Sequence, residues 1–262
     1  MSGQRDGIDP RAVVAEGAVL GPGTTVGPFA VLGPEVRLGR DCRVGPHVVI
    51  EGRTEAGDRC SFYPFVSIGQ PPQDLKFKGE ATRIRIGSGN VFREYVTVNL
   101  GTKGGGGETA IGDDNFLMTG AHIAHDCRIG NETIFANAAT LAGHVEVNDG
   151  AVIGAFSGVH QFCRLGREAF IGGYSVVTKD ALPFCLTVGN RAECHGLNTV
   201  GLRRKGYPDE TIRAMKRAYM TIFRSKRLHD RALDEVEEAL GHVPEVALMC
   251  RFIRGTKRGV IG

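Results

Sequence analysis

An apolar side chain returns every sixth residue through most of this chain, and few folds tolerate that beat. The register runs from Ile8 through Val14, Leu20, Val26, Leu32, Leu38, Val44, Ile50, Ala56 and Phe62 to Ile68. It resumes at Ile86, Phe92 and Val98, then continues unbroken from Ile111 through Ile123, Phe135, Leu141, Val159 and Ile171 to Val177. A helix repeats at 3.6 residues and an alternating strand at two, so neither produces a period of six. Short parallel strands joined by tight corners do, with one large apolar residue per flat face pointing inward. Glycine often follows it (Leu20-Gly21, Val26-Gly27, Leu38-Gly39) and relieves the corner. The expected fold is mainly β: a parallel β-helix with triangular coils of about three hexads, or roughly 18 residues.

Composition agrees. The 262 residues include 38 glycines and no tryptophan, which suits a corner-rich solenoid better than an ordinary packed core. Each coil can bury its apolar edge only against its neighbours, so the coils are stable only as a stack. The 7 cysteines are an odd number without a C-x-x-C pattern, which argues against a disulfide framework and a zinc knuckle. Cys42 and Cys60 share one hexad position, as do Cys127 and Cys163, so small reduced thiols filling interior columns are expected. The start, MSGQRDGIDP, has no basic segment followed by an apolar run, and no stretch approaches the roughly 18 apolar residues of a membrane span. A cytoplasmic protein without stable membrane insertion is the expectation.

The beat breaks near 69–85 (GQPPQDLKFKGEATRIR) and near 101–110 (GTKGGGGETA), and ends after about Leu182. A solenoid expels insertions as loops, often on its binding side. The first is chemically rich, with Gln73, Asp74 and Lys76, whereas the glycine run is expected to be only a solvated loop. The domain expectation is a β-helix over 1–190 and a helical domain over 191–262. Pro208 followed by Asp209 and Glu210 is a sound helix start. Ile212, Met215, Tyr219, Ile222 and Phe223 form an apolar stripe at helical spacing; Leu233, Val236 and Leu240 a second; Val246, Met249 and Phe252 a third. Between Arg203 and Arg227 stand nine basic residues against two acids, in a chain of net charge +3. Such asymmetry points to an anionic partner. Nucleic acid is not expected, since aromatic residues do not interleave with the basic ones.

Residues one coil apart stack, which draws attention to the histidines. His125, His144 and His160 fall within two residues of one column on three successive coils, with Gln161 two coils above His125 and His122 half a hexad before it. At a strand spacing of roughly 4.8 Å they would span on the order of 10 Å of one edge. Imidazole is the side chain best placed to accept a proton near neutral pH. No serine or cysteine stands beside it as a nucleophile, so direct transfer assisted by a general base is favoured over a covalent intermediate. Asp126 could orient His125 if the chain bends there. Three histidines could instead bind zinc.

The hexads together with AHIAHDC (121–127), NAATLAGHVEV (137–147), VHQFCRLG (159–166) and GLNTVGLRRKG (196–206) closely resemble the acyl-[acyl-carrier-protein]–UDP-N-acetylglucosamine O-acyltransferase family. These enzymes make the first acyl transfer of lipid A biosynthesis. The resemblance spans nearly the whole chain and implies a left-handed parallel β-helix, an exception to the usual right-handed crossover. It also implies a homotrimer with sites in the grooves between subunits. By motif, His125 would be the general base on the sugar 3-hydroxyl, Asp126 its support, and the Gly143 amide the oxyanion donor. Gln73, Asp74, Lys76, His122, His144, His160 and Gln161 would contact sugar and acyl chain, and Asn198, Arg204 and Lys205 the nucleotide. Asn137 and Gly173, one column with Ala155, would border the acyl pocket, where glycine leaves room for a longer chain. Acyl carrier protein and UDP-N-acetylglucosamine are the implied partners. No metal and no resident cofactor are implied, the acyl group arriving on the carrier's phosphopantetheine.

The chain departs from the family pattern at Val200, where glutamate is frequent, at Lys205, where arginine is common, and at Asn99-Leu100, where a basic pair is usual. Arg191 stands at a variable position near the end of the acyl groove. Competing readings are the related sugar-nucleotide N-acyltransferase, a γ-type carbonic anhydrase-like zinc enzyme, and a non-catalytic β-helix scaffold.

Overall fold

Most strands of the computed structural model, which describes residues 7–224 and 229–262, are only two residues long. Residues 1–6, and Lys226 and Arg227 of the basic cluster, lie outside the described residues. The strands stack as three sheets, of nine, eight and ten strands among the described residues, parallel except for the last strand of the third, forming the faces of a left-handed prism. One inward column shows the register: Leu32 pairs with Ile50, Ile50 with Ile68, Ile68 with Val98, Val98 with Ile123, Ile123 with Leu141, Leu141 with Val159 and Val159 with Val177. Both insertions therefore leave the coil and return to the same phase. Every member of this column is buried, as are all 7 cysteines.

Corners turn through left-handed backbone, and many of these residues are not glycine. Asp126 (φ 61), His144 (φ 61) and Phe162 (φ 64) follow one another at the corner between the first and second sheets. Such a conformation costs roughly 1–2 kcal/mol per non-glycine residue. The stack offsets it: His144 N–H donates to the His125 carbonyl one coil away at 3.0 Å. At the corner between the third and first sheets, Phe29, His47, Phe65 and Tyr95 stack face to face with centroids 5.1 Å apart at each step. Their rings are about half exposed, with Tyr95 at 58 %.

The last coil gives way to an antiparallel hairpin, Cys185–Gly189 with Ala192–Leu197, whose first strand pairs with Phe170–Ile171. A division at 190/191 would thus cut within the hairpin, because its return strand still belongs to the third sheet, and helices begin only at Thr199. They are α1 (Thr199–Arg204), α2 (Asp209–Arg224), α3 (His229–Leu240) and α4 (Pro244–Arg254). Ile212, Met215, Tyr219 and Ile222 of α2 are buried, as are Leu233 and Val236 of α3 and Val246 and Met249 of α4. Buried Asp180 rivets this tail to the coil: its carboxylate accepts from Arg164 Nε and from Thr256 Oγ1, both at 2.9 Å. Arg164 also donates to the Phe252 carbonyl at 2.9 Å, and the Asp180 backbone pairs with Gly259 and Ile261. Among the described residues no helix is long and apolar enough to cross a membrane.

Candidate active site

The coil places His122 on the outer face of the first sheet, one position before the inward Ile123. From Ile123 the chain runs through Ala124 and His125 to the corner at Asp126, so two neighbours that would diverge on a strand converge instead. His125 Nδ1 lies 2.8 Å from Asp126 Oδ2. The Asp126 carboxylate is buried and also collects the Thr102 N–H on Oδ1 at 2.8 Å and the Thr102 hydroxyl on Oδ2 at 2.6 Å. Surrounded by donors, it acts as acceptor only; Nδ1 of His125 therefore carries the hydrogen and Nε2 is left as the acceptor. The Asp126 N–H is taken by Thr109 Oγ1 at 2.8 Å.

One coil on, Gly143 packs under the His125 ring. A Cβ there would meet the imidazole Cε1 at 2.5 Å and Nε2 at 2.7 Å. Among the described residues no acceptor takes the Gly143 N–H. His144 stands edge-on to His125, centroids 5.1 Å apart, with Nε2 3.8 Å from Asp126 Oδ2, and its other side stacks on Phe162 at 4.4 Å. Burial lowers the His144 pKa, opposed by the negative charge of Asp126. The His122 pKa is lowered by burial first and by His125 second, and its Nδ1 lies 2.7 Å from the Thr97 hydroxyl.

The structure thus brings together His122, His125, Asp126, Gly143 and His144. Among the described residues no hydrogen bond or ring contact joins His160 to them. His160 follows Val159 by one residue, as Ala124 follows Ile123, and its exposed ring bonds the Gln161 carbonyl at 3.2 Å. Gln161 is exposed in the His125 column; Gln73 and Lys76 are exposed on the loop beside half-buried Asp74. Asn137 and Gly173 sit exposed on the opposite corner of the first sheet. Asn198 caps α1, accepting the Gly201 N–H at 3.1 Å, Arg204 is exposed, and Lys205 pairs with Glu168 at 2.6 Å.

The glycine run departs from its expectation. Far from being only solvated, it carries Thr102 onto Asp126, and Gly105 lies so close that a Cβ would fall 2.0 Å from Asp126 Cγ. Sequence reasoning missed Thr102, Thr109 and Phe162. The available signal was chemical: a buried aspartate needs donors, and a threonine heads the run. The three residues His125, Asp126 and His144 bring possible ligand atoms within 4.8 Å of one another. Nδ1 and Oδ2 already face each other in a direct hydrogen bond, and among the described residues no third histidine joins the group.

The hexapeptide profile of bacterial transferases, covering six repeats, matches residues 17–52 and 108–143, and the second domain of UDP-N-acetylglucosamine O-acyltransferase matches residues 180–261. Coils, corner histidines and tail together define a hexapeptide-repeat acyltransferase. The acyl-[acyl-carrier-protein]–UDP-N-acetylglucosamine O-acyltransferase of Alkalilimnicola ehrlichii is 51% identical over 197 residues, 75% of this chain and 76% of its own. That of Thermodesulfovibrio yellowstonii is 47% identical over 214 residues, covering 82% and 83%. The solved structure of LpxA from Acinetobacter baumannii superposes with a TM-score of 0.95 at 37% identity, over 98% of this chain and 100% of that one. The chain belongs to the acyl-[acyl-carrier-protein]–UDP-N-acetylglucosamine O-acyltransferase family.

Proposed function

We propose that this protein transfers a 3-hydroxyacyl chain from acyl carrier protein to the 3-hydroxyl of UDP-N-acetylglucosamine, opening lipid A biosynthesis in the cytoplasm. The observation that carries the reading is the His125–Asp126 pair, with Nε2 free above the unclaimed Gly143 N–H. Nε2 takes the hydroxyl proton as the sugar oxygen attacks the thioester carbonyl, whose oxyanion the Gly143 N–H receives. The carbon–sulfur bond then breaks, and the phosphopantetheine thiolate leaves with the proton returned by the imidazolium. Ester and thiol are the products, and the step as drawn calls on no metal or resident cofactor.

His122 and His144 flank His125 and suit contacts to sugar and acyl chain; Gln73, Asp74, Lys76, His160 and Gln161 complete the proposed set. Asn198, Arg204 and Lys205 would serve the nucleotide. Lys205 must exchange Glu168 for a phosphate, a trade favoured by the stronger charge on a diphosphate. Arg213, Lys216 and Arg217 on α2 form a cationic face suited to an acidic carrier protein. The half-exposed aromatic stack supports a homotrimer, since a contiguous apolar ridge of this kind marks a contact surface. A neighbouring copy would also supply the Asn137–Gly173 corner that the His125 corner lacks within one chain.

The test is a mass-spectrometric assay offering UDP-N-acetylglucosamine with hydroxyacyl carrier proteins of several lengths. A single acylated sugar nucleotide, reduced about 10²–10⁴-fold in His125→Ala, is the expected result. No product with any donor would refute the reading.

A further inference from the structure

The buried Asp126 carboxylate has more partners than a support for one imidazole requires, and they come from the glycine run. Thr102 gives it both a backbone and a side-chain donor, at 2.8 and 2.6 Å. The hydroxyl lands on Oδ2, the same oxygen that His125 Nδ1 uses at 2.8 Å. The Thr102 Oγ1 in turn accepts the Gly105 N–H at 3.2 Å, and the Thr102 carbonyl accepts the Gly107 N–H at 2.8 Å. The loop from Gly101 to Glu108 is thereby folded onto the carboxylate, with Thr102 itself buried. Gly105 seals it, there being no room for a side chain between loop and Asp126. Its neighbour Gly104 has none of that pressure: an added Cβ meets only Thr102 Oγ1, at 3.9 Å.

We infer that Thr102 is a positioning residue, and that the glycine run is a clamp fixing the rotamer of Asp126 and, through it, the plane of the His125 ring. Without the clamp the carboxylate would be a buried charge with one neutral partner and freedom to turn about its side-chain bonds. With it, both oxygens are pinned and only one direction is left for the imidazole N–H. Gly105 is required because there the loop backbone passes within contact distance of the carboxylate. This inference rests on the reading of His125 as the base, but it concerns a residue that touches neither substrate nor the reacting atoms.

Thr102→Val keeps shape and backbone N–H while deleting the hydroxyl donor. It should lower kcat about tenfold or more with KM for both substrates nearly unchanged, the size expected for a lost charge-assisted hydrogen bond of about 1.5–3 kcal/mol. Thr102→Ser, which restores the hydroxyl, should recover most of the rate. Gly105→Ala should reproduce the loss with Thr102 intact, whereas Gly104→Ala should leave turnover as it was. The deciding measurement is the double-mutant cycle: in an Asp126→Ala background Thr102→Val should cost nothing further. An equal cost in both backgrounds, or no rescue by serine, would overturn the clamp. Failure of the underlying reading looks different, because His125→Ala and Asp126→Ala would then themselves keep full turnover.

Discussion

Gly143→Ala offers a sharp test of the catalytic geometry because the added methyl has one obstacle. The backbone at Gly143 is not in the left-handed region, so alanine is tolerated conformationally. The new Cβ would stand 2.5 Å from His125 Cε1, 2.7 Å from Nε2 and 3.0 Å from Nδ1. Ordinary contact for carbon atoms begins near 3.5 Å, so the ring must retreat by about 1 Å. His125 is not deeply buried, its side chain being 15% exposed, so it can swing outward. The stability loss should lie at the low end of the about 1–3 kcal/mol typical of overpacking. Catalysis should suffer more: a 1 Å displacement of a reacting group costs on the order of 10²-fold, or about 2.7 kcal/mol in the barrier. Steady-state kinetics with the purified variant should show that loss in kcat, while thermal melting moves by only a few degrees. Combining it with His125→Ala should relieve the clash and return the melting temperature towards that of His125→Ala alone. A Gly143→Ala enzyme within threefold of the parent would refute the packing of ring on glycine.

Two further outcomes follow from the same edge. Burial lowers the His122 pKa below its ordinary 6.5, so as pH falls through that value the unfolded chain binds a proton that the folded chain refuses. Stability should be full above about pH 6.5 and decline below it; His122→Gln should flatten that slope in melting curves, and parallel slopes would contradict the assignment. At Gly173, where an added Cβ meets only Ala155 backbone at 3.3 and 3.9 Å, Gly173→Met should fit and shorten the acyl pocket. Competition among carrier proteins of different chain lengths should then shift towards shorter products, and an unchanged product length would place the pocket elsewhere.

The inward column was legible because its phase survives both loops: Val98 still meets Ile68 and Ile123 although neither neighbour is one regular coil away in sequence. The pairing of Gly143 with His125 was readable for the same reason. His160 falls one register position from the His125 column, beside Ala124, as column counting allows. Thr102, by contrast, was illegible. It sits in an insertion with no phase, so nothing in its spacing relates it to Asp126; only the three-dimensional return of the loop does. The Lys205–Glu168 pair is equally hidden, joining the tail to a corner of the coil.

The rivet at Asp180 bears on how this molecule ends. A stack of parallel coils has no intrinsic last member, since its final rung presents unpaired backbone groups to whatever comes next. Here the rung above Asp180 is occupied by the chain's own Val260, with the Asp180 N–H given to Gly259 and the Ile261 N–H given to Asp180. Arg164 and Thr256 lock that arrangement from the side. The tail therefore acts as a terminator for a structure that could otherwise propagate. Disrupting it would leave the backbone groups of that last rung unpaired, an exposed edge on which another chain could add.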